Sequence, residues 1–317
     1  MLVASLLLAS LVLTLAILAG VAIVWGTAER PPPIESLTSA IEQMPKLKFP
    51  DPVRFPSRDG TSLVYREYPV ADAGQVAVLL HGSIHDSRMM HGIGAFLATQ
   101  GIAAYSMDVR GHGGSGPRGD IGFIGHLEAD IVDLVAHIRT TRADARLALI
   151  GHSAGGGLAL RFAGGQDQHL FDRYVALAPF IEHRGALARR DGPNWAAVAA
   201  ARFIALQLLH TVRIRLFQQL PVLLCAVPAE SSCTATYSFR LAVNFRADLN
   251  WRRNIRAIKA KTMVLIGEED ELFDGRAYPA VIEPLNKNVH VQVLKAADHT
   301  SICRKTSAIM AVRKALV

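Results

Sequence analysis

Between Gln75 and Leu294 short apolar runs alternate with segments of helical period, and this alternation restricts the fold more than any single residue does. "QVAVLLHG" (75–82), "GIAAYSMD" (101–108), "RLALIGH" (146–152), "RYVALAP" (173–179) and "TMVLIG" (262–267) are strand-length and apolar enough to be covered on both faces. "TSLVYREY" (61–68) and the alternating "VHVQVL" (289–294) read as further strands. The intervening "MMHGIGAFLATQ" (89–100), "HLEADIVDLVAHIRTT" (126–141), "AGGGLALRFAGG" (154–165) and "AYPAVIEPL" (277–285) read as helices. In the second of these, Leu127, Ile131, Leu134, Val135 and Ile138 recur at helical intervals, and its acidic residues fall early, where they suit the helix dipole. Strands that alternate with helices predict a mostly parallel sheet flanked by helices.

The alternation lapses from 180 to 258, a stretch with helices expected around "WAAVAAARFIALQLLH" (195–210), and resumes at 262. That interruption reads as a lid inserted between core strands. It also holds the charge imbalance. Of 34 Lys and Arg and 27 Asp and Glu, it takes 11 Arg and 4 acidic residues, so the rest of the chain carries 23 of each sign. No stacking platform of aromatic residues accompanies the arginines, so nucleic acid is not the expected partner.

Leu2 to Trp25 contains no charged side chain, and its 24 residues make about 36 Å of helix, enough to cross a bilayer of about 30 Å. It reads as a transmembrane anchor, 1–26, with a linker, 27–50, stiffened by Pro31 to Pro33. A cleaved signal peptide is the competing reading, with "GTA" (26–28) as the small-residue site, but the apolar run is longer than such segments use and no basic residue precedes it. Glu29 and Arg30 cancel, and the more distant Lys46 and Lys48 leave the orientation open. The domain proper is expected over 51–317. Cys225, Cys233 and Cys303 lack metal-ligand spacing; buried free thiols are preferred over a Cys225–Cys233 bridge.

"ALIGHSAGGGLAL" (148–160) runs an apolar strand into a tight turn with Ser153 at its tip and out into a small-residue helix. "GHSAG" fits G-x-S-x-G, whose glycines let strand and helix backbones approach while the serine hydroxyl stays exposed at the sheet edge. A serine hydroxyl is a poor nucleophile and needs a base, which needs an acid to hold it. Of the two histidines after the lid, His290 falls inside a strand and His299 in the loop after it, so His299 is preferred. "VLIGEEDELF" (264–273) supplies acids at a strand end; Asp270 leads and Glu269 is the reserve, whereas Asp298 adjoins His299 too closely to meet its ring well. The oxyanion donors expected are the N–H groups of Ala154 and of Ser83, in "LLHGSIHDS" (79–87). His81 and His85 lack a third ligand nearby, so no metal is expected, and no cofactor.

"HGS" (81–83), "DVRGHGGSG" (108–116), "GHSAGG" (151–156), "GEED" (267–270) and "DH" (298–299) together resemble the α/β-hydrolases, and within them the monoacylglycerol lipase and lysophospholipase-like serine hydrolases grouped with the serine aminopeptidases. The resemblance covers roughly 60 to 317. It implies Ser153 as nucleophile, Asp270 as acid, His299 as base, the Ser83 and Ala154 N–H groups as oxyanion hole, and "DVRGHGGSG" as a loop buttressing the site. The anchor and the lid fall outside it. The leading expectation is a membrane-anchored serine hydrolase of lipid-like acyl esters; amide or aminopeptidase-type cleavage and an idle scaffold are the alternatives. The sequence leaves acyl length, head group and oligomeric state open.

Overall fold

The computed structural model describes residues 2–34, 48–182, 185–189, 191–192, 194–228 and 231–317. Most of the expected linker, 35–47 with Lys46, lies outside them. Eight of the described strands form one sheet: β1 (Pro52–Pro56), β2 (Ser62–Tyr68), β3 (Gln75–Leu80), β4 (Ala103–Met107), β5 (Arg146–His152), β6 (Arg173–Leu177), β10 (Lys261–Gly267) and β11 (Val289–Leu294). Their order is β1-β2-β4-β3-β5-β6-β10-β11, with β1 and β2 antiparallel at one edge and the remainder parallel. Val76 to Leu80 and Leu149 to Ile150 at its centre are wholly buried, as the uninterrupted apolar runs require. Helices α2 (His91–Thr99), α3 (His126–Arg139), α4 (Ala154–Ala163), α8 (Tyr278–Ile282) and α9 (Thr306–Ala315) follow the strands they connect. This is the α/β-hydrolase fold.

Strand β1 is absent from the sequence reading. It begins and ends with proline and exposes four of its five residues, a pattern that fits an edge strand because proline cannot donate to a second neighbour.

Between β6 and β10 the insertion departs from the all-helical expectation over 195–210. Ala196–Val198 is a strand, β7, in a second, three-stranded antiparallel sheet with β8 (Pro221–Cys225) and β9 (Thr236–Ser238); the helix α5 begins only at Ala200 and runs to Thr211. The helical propensity of the alanines at 196–197 yields to pairing with Cys225 and Leu224. Two short helices follow, α6 (Phe239–Asn244) and α7 (Trp251–Arg256); α7 lies on α4, where the Asn254 amide donates to the Arg161 carbonyl at 3.0 Å. The three cysteines are buried free thiols.

The N-terminal apolar segment is a helix, α1 (Leu2–Trp25), that packs on the insertion. Ile23 joins Ala205, Leu206, Val222, Phe239 and Val243 in a cluster separate from the main core. The buried Arg202 guanidinium donates to Ile23 O at 2.7 Å, Val24 O at 3.0 Å and Pro221 O at 2.9 Å, so one side chain satisfies carbonyls at the end of α1 that no helical N–H reaches. Arg30 continues the attachment, donating to Cys225 O, Ala235 O and Thr236 Oγ1.

Candidate active site

Ser153 stands between β5 and α4 at φ +52°, a left-handed conformation that a residue with a Cβ adopts only when its surroundings enforce it. The enforcement is visible. Its N–H donates to Leu177 O at 2.8 Å, and its carbonyl accepts from both Gly157 and Phe180. A methyl group on Gly151 would strike the Gly155 carbonyl, and one on Gly155 would strike the carbonyls of His81 and Leu80, so both glycines of the motif are set by backbone contact.

Three of the residues picked out by sequence converge here. Ser153 Oγ lies 3.0 Å from His299 Nε2, and His299 Nδ1 lies 2.9 Å from Asp270 Oδ2. Asp270 cannot rotate freely, because its Oδ1 accepts from Leu272 N and Phe273 N, both at 2.9 Å. With Nδ1–H donated to Asp270, Nε2 keeps its lone pair for the serine proton, the arrangement proton transfer from a hydroxyl needs. Burial works against a charged His299 ring, but the Asp270 charge and hydrogen bond, with Glu271 and Asp298 nearby, outweigh it and raise its pKa above the ordinary histidine value.

The other acids have different employment. Glu271 accepts from the His299 N–H at 3.0 Å, Glu268 pairs with Arg276, and Asp298 binds the N–H groups of Thr300 and Ser301. The Glu269 N–H donates to the Ala297 carbonyl, which brings together the loops that carry Asp270 and His299. His290 is exposed on β11.

Facing Ser153 is the loop after β3, and the two together with His85, His152, Trp195, Leu272, Phe273, His299 and Thr300 enclose a recess of about 30 Å³, room for one water or a small acyl group. A methyl group on Gly82 would stand 2.8 Å from His152 Nδ1, so a larger residue would displace this loop from the serine. His81 orients the loop from below. Its Nε2 accepts from Val109 N at 3.0 Å, which leaves the proton on Nδ1 to donate to Gly82 O at 2.7 Å. The neutral ring is favoured because burial lowers its pKa. Both nitrogens are thereby used, and no lone pair remains for a metal; among the described residues no His, Cys, Asp and Glu cluster has ligand geometry.

"DVRGHGGSG" closes over the same side. Asp108 accepts from Ser87 N and Gly114 N at 2.9 and 2.8 Å, while the buried Arg110 pairs with Asp130 at 2.7 Å and reaches Asp59 at 3.0 Å. Trp195, from the insertion, and Phe273 give the recess its apolar wall, and His152 donates to the His299 carbonyl at 2.8 Å. Sequence pattern gives neither Trp195 nor Phe273 a place at the site. The fold alone brings those two to the serine.

The profile of the family described as serine aminopeptidase, S33, matches residues 71–303. Among curated proteins, the uncharacterized protein YnbC of Escherichia coli (strain K12) is 34% identical over 110 residues, 33% of this chain and 18% of that protein. The uncharacterized protein Rv2715 of Mycobacterium tuberculosis (strain H37Rv) is 32% identical over 114 residues, 36% of this chain and 31% of that one. Both matches therefore span less than a third of the relative's own length. Similar solved structures include a soluble variant of monoglyceride lipase from Saccharomyces cerevisiae (TM-score 0.61, 15% identity, covering 86% of this chain and 94% of that one) and a Paleococcus ferrophilus monoacylglycerol lipase (0.60, 18%, 80% and 96%). A bacterial membrane phospholipase A (0.58, 16%) covers 98% of each chain. With the profile match spanning more than two thirds of this chain and the sheet order above, the chain belongs to the serine aminopeptidase S33 family and is an α/β-hydrolase of the serine hydrolase class.

Proposed function

We propose that the protein is a membrane-anchored hydrolase of carboxylic esters, with lipid-like acyl esters as its substrates and Ser153, His299 and Asp270 as its triad. The observation that carries this reading is the unbroken hydrogen-bond line from Asp270 through His299 to the Ser153 hydroxyl, ending in an apolar recess. His299 takes the Ser153 proton as Oγ attacks the acyl carbonyl, and the N–H groups of Ser83 and Ala154 receive the oxyanion. The tetrahedral species collapses as His299 protonates the leaving alcohol. Water then attacks the acyl-enzyme by the same route and releases the acid. Solved monoacylglycerol lipases and an esterase share this fold.

The membrane half of the proposal rests on α1 and its neighbour. Leu6, Leu7, Leu11, Leu13, Ile17 and Leu18 are all more than half exposed, and a helix apolar on every side needs an apolar surrounding. Ile204 and Leu208 on α5 and Val212 just past its end form an exposed stripe at i, i+4 and i+8, followed by Leu216 and Phe217. From Trp195 to Ala229 there is no acidic residue, which suits an anionic lipid surface beside the anchor.

The test is hydrolysis of a short p-nitrophenyl ester and of a long-chain monoacylglycerol by the detergent-solubilised full chain, against Ser153→Ala. Activity on either ester that disappears in the variant is the expected result. Equal background in both proteins on both esters refutes ester hydrolysis, and cleavage of aminoacyl amides alone would move the reading to an aminopeptidase.

A further inference from the structure

The loop that carries Ser83 is held by the insertion as well as by the core. Ile84 follows at φ +65°, a second left-handed position occupied by a β-branched residue. Both of its backbone polar groups are engaged by residues of the insertion. Its N–H donates to the Tyr237 hydroxyl at 2.8 Å, and its carbonyl accepts from Thr234 N at 3.0 Å.

Tyr237, on β9, is 1% exposed and 125 residues away in sequence from its other partner, His112, whose Nε2 lies 2.7 Å from the hydroxyl. The protons can be assigned. His112 Nδ1 faces the Arg110 carbonyl at 3.4 Å, so it carries the hydrogen and Nε2 is an acceptor. Burial and the neighbouring His81 keep that ring neutral, well below the ordinary histidine pKa. Tyr237 thus donates to His112 and accepts from the Ile84 N–H. The phenol hydrogen goes to His112 and a lone pair to the loop, so one hydroxyl ties the two together. The ring also meets His112 edge-on at 5.2 Å, which leaves the hydroxyl no second position.

We propose that Tyr237 is a positioning residue for the oxyanion hole: by holding Ile84 in its left-handed conformation, this hydroxyl of the insertion fixes the direction of the Ser83 N–H. The inference rests on the assignment of Ser83 as an oxyanion donor. It makes the insertion part of the catalytic geometry and not a cover alone, because a shift of β9 away from the core withdraws an anchor of the donor loop.

Tyr237→Phe removes the hydroxyl and keeps the buried ring. In the detergent-solubilised full chain, with a short p-nitrophenyl ester, kcat is expected to fall about 10- to 100-fold with KM within twofold, less than the ~10²–10³ lost when an oxyanion donor is deleted outright. Affinity for a trifluoromethyl ketone, which mimics the tetrahedral species, should weaken by the same factor as kcat/KM. Amide exchange at 82–85 should quicken. Unchanged kcat in a folded variant overturns the proposal, as does a loss confined to KM or a kcat loss with undiminished ketone affinity. If Tyr237→Phe does not fold, His112→Gln and His112→Leu ask the same question: glutamine keeps an acceptor for the phenol hydrogen and should preserve kcat, whereas leucine should lower it. Ser153→Ala run alongside separates the two failures. An active Ser153→Ala refutes the ester-hydrolase reading; an inactive Ser153→Ala beside a wild-type-like Tyr237→Phe refutes this inference alone.

Discussion

Replacing Asp270 by asparagine changes one hydrogen bond at a site whose remaining contacts survive. Oδ1 accepts from Leu272 N and Phe273 N, and the asparagine carbonyl can take over both bonds, so the loop after β10 keeps its shape. The amide nitrogen then occupies the place of Oδ2, 2.9 Å from His299 Nδ1. Two N–H donors cannot face each other. The ring is driven to carry its proton on Nε2, toward Ser153, and loses its ability to accept the serine hydrogen. The wrong tautomer in such a triad costs about 10⁴ in kcat, or about 5.5 kcal/mol at 1.36 kcal/mol per decade. A second signature follows from the charge. In the parent protein the Asp270 carboxylate outweighs burial and holds the His299 pKa above 6.5; without it burial prevails. The acidic limb of kcat/KM, which reports protonation of the base, should therefore move to lower pH in Asp270→Asn. The assay is p-nitrophenyl acetate hydrolysis between pH 4.5 and 9 by detergent-solubilised protein, with a urea midpoint to check folding. A loss below tenfold with the acidic limb unmoved would refute the reasoning and return Glu269 to consideration.

The buried histidines predict acid sensitivity. Burial, reinforced by His81, pushes His85 down to about 4 from 6.5, and His81, His112 and His152 are lowered in the same direction, so these rings stabilise the fold above pH 6.5 and that contribution is lost as pH falls toward 4. His85 alone accounts for about 3 kcal/mol, which should appear as a lower urea midpoint at pH 4.5 than at pH 7; His299, raised, acts oppositely and contributes below 6.5. Arg202→Ala leaves the Ile23, Val24 and Pro221 carbonyls without their donor and should cost about 2 kcal/mol, read as faster proteolysis within 199–225 while short-ester kcat is retained.

Legibility in the sequence followed the range of the forces involved. The strand 146–152 coincides with its expected run because burial on both faces leaves an unbroken apolar signature within the segment, and 289–294, at the sheet edge, shows instead as alternation of apolar and polar residues. The turn around Ser153 is legible because the glycines on either side of the serine mark a crowded backbone: Gly151 is held by Gly155, and Gly155 by the distant carbonyls of Leu80 and His81. His299 and Asp270 followed from their places after β11 and β10. The short strands β1 and β7 were not legible, since three to five residues carry too little period to outvote the prolines of one and the alanines of the other.

Read residue by residue, the chain yields the order of its parts: an apolar helix, then a parallel sheet whose strand ends deliver a serine, an acid and a histidine. Each of those features depends on residues within a few positions of one another. How the insertion and the N-terminal helix α1 relate to that sheet comes from the tertiary structure. Arg202 reaches back 178 residues to Val24, and Tyr237 reaches 153 residues to Ile84. A hydrogen bond across such a separation leaves no periodicity in either segment, because its specificity lies in where two surfaces meet once each has folded.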